Sequence, residues 1–92
     1  MYKRIVEVIN GTGLHARPAT DFVNAAKGFK SKIEIFCLEE GELLSANAKS
    51  IVMLLGLGAG QGTSITICAE GEDEKEAVDT LVALIESGFG EV

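Results

Sequence analysis

The sequence is short of cations, cysteine, proline and aromatic rings. Eight Lys and Arg stand against 14 Asp and Glu, a formal charge of -6. Nucleic-acid backbones are gripped by clustered cations, so no nucleic-acid partner is expected. An anionic membrane surface is disfavoured for the same reason. No apolar run reaches the roughly 18–20 residues of a membrane span, so membrane insertion is not expected. Met1-Tyr2-Lys3-Arg4-Ile5 leads into alternation rather than an apolar stretch, so no signal peptide is expected. Cys37 and Cys68 are too few and too far apart for a disulfide framework or a thiolate metal site. They read as free, buried thiols inside strands, which predicts a reducing, cytoplasmic setting.

What is present is ordinary globular material. Hydrophobic residues make up 47% and charged residues 24% of 92 positions, which excludes disordered and collagen-like classes. One domain spanning 1–92 is expected. A chain of this size buries roughly 60–65% of its unfolded surface, enough for a single modest core.

The periodicity changes along the chain. Alternation over 2–8 predicts a first strand, broken by Asn10-Gly11-Thr12-Gly13. Pro18, the sole proline, suits the first turn of a helix. Ala19, Phe22, Val23 and Ala26 follow at helical spacing, giving a helix over 16–27. Gly28 is read as its left-handed cap, with Phe29 folding back. Ile33, Ile35 and Cys37 alternate with polar residues as strand two. Leu43 to Ala46 return as strand three, after a fairly long connection. Ser50 then caps a short apolar helix, Ile51 to Leu55, ended by Gly56. Ile65, Ile67 and Ala69 mark strand four. A last helix, capped by Asp73 or Glu72 and ended by Gly88, carries the stripe Ala77, Val78, Leu81, Val82 and Ile85. The order β-α-β-β-α-β-α, with a central hairpin, predicts an α+β fold: an antiparallel sheet with helices on one face.

One constellation carries chemistry. His15 is the sole histidine and lies three residues before the sole proline, with Arg17 between. The glycines and Pro18 place it at or just before the start of the first helix. The unpaired N–H groups and positive dipole there favour an anion. Arg17 adds a fork of donors suited to phosphate. Both positive features disfavour an imidazolium. A neutral ring keeps a lone pair that can attack phosphorus, and the same donors would then hold the anion. A solvent-exposed capping histidine beside an incidental arginine explains the spacing equally well. One histidine with no second soft ligand falls short of a metal site. The glycines at 56, 58, 60 and 62 fit no nucleotide-binding loop, so no cofactor is expected.

Gly13-Leu14-His15-Ala16-Arg17-Pro18-Ala19, Ala48-Lys49-Ser50-Ile51 and Gly71-Glu72-Asp73-Glu74 resemble, in order and spacing, the histidine-containing phosphocarrier family of the bacterial phosphoenolpyruvate-dependent sugar phosphotransferase system. The resemblance covers essentially the whole chain. It implies an open-faced β-sandwich, with four antiparallel strands covered on one face by three helices. It also implies that His15 accepts a phosphoryl group on Nδ1 from enzyme I and passes it to sugar-specific enzyme IIA domains. By the same match, Arg17 stabilises the phosphohistidine and Pro18 shapes the helix start. Some regulatory relatives lack the histidine, which this chain keeps.

Ser50 matches a serine that a bifunctional kinase/phosphorylase modifies in some family members, in carbon catabolite control with a regulator protein. A phosphate at a helix N-terminus should spoil a docking surface without unfolding the domain. Four apolar side chains on so short a helix cannot all be buried. Ile51, Met53 and Leu54 are therefore expected to meet partners, with Ile51 and Leu54 facing out. The Phe36–Ser45 hairpin looks longer than is usual in the family and should lie away from His15. A monomeric carrier that turns over nothing alone is the leading expectation. A regulatory paralogue acting by protein binding, or a small phosphate-handling hydrolase, remains open at this point.

Overall fold

A computed structural model describes residues 1–91. Its elements are β1 (Tyr2–Glu7), α1 (Ala16–Lys27), β2 (Lys32–Glu39), β3 (Glu42–Asn47), α2 (Ile51–Gly56), β4 (Ser64–Glu70), α3 (Glu74–Glu86) and a 3-10 turn at Gly88–Gly90. The strands form one antiparallel sheet in the order β1-β4-β2-β3. The antiparallel sheet is the one expected from the element order, and the whole is the open-faced arrangement that the family resemblance implied.

Strand alternation decides which face the helices cover. Val6, Ile65, Cys37 and Leu44 form one continuous cross-strand row. Ile33, Ile35, Ile67 and Ala69 lie on the same side and are buried. Against them pack Ala19, Phe22, Val23 and Ala26 of α1 and Ala77, Val78, Leu81, Val82 and Ile85 of α3. Both stripes are buried as their spacing required. The opposite parity, with Ile5, Leu38 and Leu43, faces solvent. Cys68 lies on that outer parity and is half-buried, whereas Cys37 is fully buried. The expectation of two buried thiols therefore holds for Cys37 alone. Burial pushes the Cys37 thiol above its ordinary range. No helix of the described residues is long and apolar enough to cross a membrane.

Four local readings need correction. The β2–β3 connection is not long: pairing continues through Leu38↔Leu43 and Glu39↔Glu42. Only Glu40 and Gly41 remain to turn the chain, with φ of 49° and 80°. Two left-handed residues in succession match the twist of the flanking strands. Gly28 is not left-handed: its φ is -74°, and α1 closes with right-handed bonds from Gly28 N to Ala25 O and Phe29 N to Ala26 O. Gly56 belongs to α2, and the left-handed residue after that helix is Gly58, at φ 64°. Asp73 occupies the N-cap position of α3 but makes no side-chain capping bond. Its carboxylate instead accepts from Lys30 N at 2.8 Å, Ser31 N at 3.0 Å and Ser31 Oγ. That clip ties the start of α3 to the entry of β2. The Ser31 hydroxyl, then the Lys30 amide, lowers the Asp73 carboxyl to about 2.

Candidate functional site

The segment between β1 and α1 is braced from two sides. The 58–63 loop meets its front half through Val8 N to Thr63 O at 2.9 Å and Gly62 N to Val8 O at 2.7 Å. Leu14, fully buried, donates its N–H to Ala59 O at 2.9 Å. Gly13 sits at φ 68°, and a Cβ there would lie 2.5 Å from Ala59 O. A glycine is required at that approach.

These braces deliver His15 to the N-cap of α1. Its backbone is extended, with φ -134° and ψ 164°, and its side chain makes no capping bond. The ring is exposed, not spent on the helix end. Ala16 follows at φ 52°, a conformation that costs a residue with a Cβ roughly 1–2 kcal/mol. Pro18 is buried in the first turn, which has no acidic residue. The positive end of α1 is thus free of any side-chain carboxylate within its first turn.

Arg17 is close in sequence but not fixed. Its side chain is 82% exposed and its Nε lies 3.6 Å from Asp21 Oδ2, one turn along. So loose an ion pair holds little, and the guanidinium can swing to an anion at the helix end.

Ser50 caps α2 as its sequence context required: Oγ accepts from Met53 N at 3.3 Å. The six-residue helix buries one side chain, Leu54, which is 0% exposed. Leu54 therefore does not face out. It points inward with Leu57, three residues on, at helical spacing. Val52 is 77% exposed, Met53 48%, Leu55 41% and Ile51 37%. Ile51 borders a groove between α1 and α2 that Thr20, Val23, Asn24 and Lys27 complete. Ile51 is thus the α2 side chain that meets the flank of the histidine-bearing helix.

Sequence reasoning missed three residues. Asn10 is fully buried and donates Nδ2 to Gly13 O at 2.9 Å. Glu91 Oε1 accepts from Thr12 Oγ1 at 2.8 Å and from Asn10 Nδ2 at 3.0 Å. Those two bonds, chiefly the one from Asn10, hold the Glu91 carboxyl below the usual range, with Arg17 adding a smaller attraction. Asn10 and Thr12 were legible as a strand breaker, but nothing local linked them to position 91. Among the described residues no three His, Cys, Asp or Glu side chains gather in a way that could hold a metal ion.

Compared with known proteins, residues 2–87 match the family model described as the PTS HPr component phosphorylation site. The chain is similar to the phosphocarrier protein HPr of Haemophilus influenzae, at 51% identity over 92% of this chain and 95% of that protein. It is 48% identical to the HPr-like protein Crh of Halalkalibacterium halodurans, over 94% of this chain and 98% of that one. Among solved structures, HPr-C-His from Thermoanaerobacter tengcongensis superposes with a TM-score of 0.88 at 46% identity. That match covers 100% of this chain and 99% of that chain. On the combined weight of sequence, site and fold, the chain belongs to the HPr family of phosphocarrier proteins of the phosphotransferase system.

Proposed function

We propose that the chain carries a phosphoryl group on His15, taken from enzyme I and given to sugar-specific enzyme IIA domains. The observation that supports this most is the exposed imidazole at the start of α1, uncommitted to capping and next to first-turn amides that have no partner within the helix itself. The Nδ1 lone pair attacks phosphorus, and the bond from phosphorus to the donor breaks as the N–P bond forms. The ring keeps its proton on Nε2. The α1 amides, reinforced by Arg17, take up the charge of the phosphoryl oxygens. Pro18 presets the first turn that presents those amides. The reverse displacement, on a IIA nucleophile, returns the ring to its starting state. The chain acts as a carrier among cytoplasmic partner enzymes rather than as an enzyme in its own right, as a monomer that needs no metal or other cofactor.

Ile51 and Met53, with Val52 and Leu55, form the apolar part of the docking surface. Ser50 lies at its edge and is the site of regulatory phosphorylation by an HPr kinase/phosphorylase, in catabolite control through a regulator protein. A dianion there is tolerated by the start of α2 but meets partners that expect an apolar face. Similarity to the Crh protein supports this regulatory role.

A reconstituted relay of phosphoenolpyruvate, enzyme I and a IIA domain tests the assignment. His15→Ala abolishes transfer with an unchanged melting curve. Arg17→Ala slows it roughly 10-fold or more, because charge stabilisation is lost. Unchanged kinetics in Arg17→Ala would remove that residue from the site.

A further inference from the structure

Three left-handed residues in succession follow α3. Gly88, Phe89 and Gly90 have φ of 69°, 55° and 78°. The glycines adopt this freely, but Phe89 does so against the clash of its own Cβ with the backbone. Two things are gained by that conformation. The Phe89 ring enters the core and is left 6% exposed. The next residue is turned back toward the segment between β1 and α1, with Glu91 N bonded to Gly88 O at 2.9 Å.

Glu91 lands on the segment that leads to His15. Its Oε1 accepts from Thr12 Oγ1 and from Asn10 Nδ2. The Asn10 amide is itself unusual. Its Nδ2 carries two hydrogens and faces three acceptors: Gly13 O, Thr12 Oγ1 and Glu91 Oε1. Its Oδ1 is buried and has no partner among the described residues. A buried amide left half-satisfied costs stability. A strained phenylalanine and an under-satisfied asparagine thus converge on one contact, which spans 79 to 81 positions of sequence.

We propose that Glu91 is a positioning residue for phosphoryl transfer: delivered by the left-handed Gly88–Gly90 turn, its carboxylate clips Thr12 and Asn10 and holds the 10–14 segment so that His15 is presented in a single orientation. This rests on His15 being the phosphoryl acceptor. The clip does not touch the reacting atoms. It acts through Asn10, whose main-chain carbonyl accepts the Gly13 N–H at 3.1 Å, and through the Leu14–Ala59 bond one residue before the imidazole. Small displacements of a nucleophile are magnified in rate, so the effect belongs to turnover rather than to docking.

The test uses the full chain in three forms: wild type, Glu91→Ala and Glu91→Gln. Two quantities are read: the kinetics of phosphorylation by enzyme I, and amide hydrogen exchange at Gly13 and Leu14. Glu91→Ala should slow transfer about 3- to 10-fold at unchanged KM, with faster exchange at both amides. Glu91→Gln keeps an oxygen that accepts the same two bonds and should restore most of both. Glu91→Ala behaving as wild type would overturn the inference. So would a rise in KM alone, or a glutamine variant as impaired as the alanine one. If wild type itself takes no phosphoryl group on His15, the parent assignment has failed and the inference falls with it.

Discussion

Asp73 stands where a helix cap would be, yet its carboxylate serves another element. It gathers the Lys30 and Ser31 amides and the Ser31 hydroxyl, and Gly71 lies against the same serine, where a Cβ would come within 2.6 Å of Ser31 Oγ. The ionised form is the one these donors bind, so its pKa falls from the ordinary 3.8 to about 2. A group whose folded pKa is depressed stabilises the fold fully above its unfolded pKa and loses that contribution as pH falls through the folded one. Urea midpoints should therefore drop between about pH 4 and pH 2. Asp73→Asn should be less stable at pH 7 and lose less over that window. Equal pH slopes for the two proteins would rule out the clip. The sequence showed Asp73 as a capping residue because Asp before a helix usually caps it. What it could not show is that a serine 42 positions earlier competes for the same oxygens.

At the scale of elements, patterning told more than caps did. The buried faces of α1 and α3 follow from apolar spacing alone, since long amphipathic helices average over many positions. A helix of six residues has too few positions for such averaging. Leu54 and Ile51 lie three apart and share one side, and tertiary context sends the first to the core and leaves the second at a groove rim. Leu54→Ala should therefore cost about 2–5 kcal/mol in chemical denaturation. Val52→Ala, on the exposed side, should change stability by less than about 0.5 kcal/mol. Similar losses for the two would contradict the placement. The β2–β3 turn escaped for a different reason. Glu40-Gly41 is a tight left-handed pair, but the acidic residues around it read as loop until the strand pairing is known.

For the whole molecule, the sheet order explains why the site sits where it does. β1 lies at one edge and pairs with β4, so the loop leaving β1 meets the loop entering β4. That meeting supplies the Leu14–Ala59 bond and the close approach at Gly13. The histidine end of α1 was legible because its signals are local: glycines before it, proline after it. The Glu91 contact was not, because it exists only once the last helix has folded back over β1. Net charge of -6 and the uncovered sheet face with Ile5, Leu38 and Leu43 lie outside this arrangement. The central claim is that one imidazole at the start of α1 carries the phosphoryl group. Residue mapping after incubation with phosphoenolpyruvate and purified enzyme I tests it most directly. Acid-labile phosphate on His15 alone is the predicted result. Stable phosphate on another residue, or no incorporation, would contradict the account.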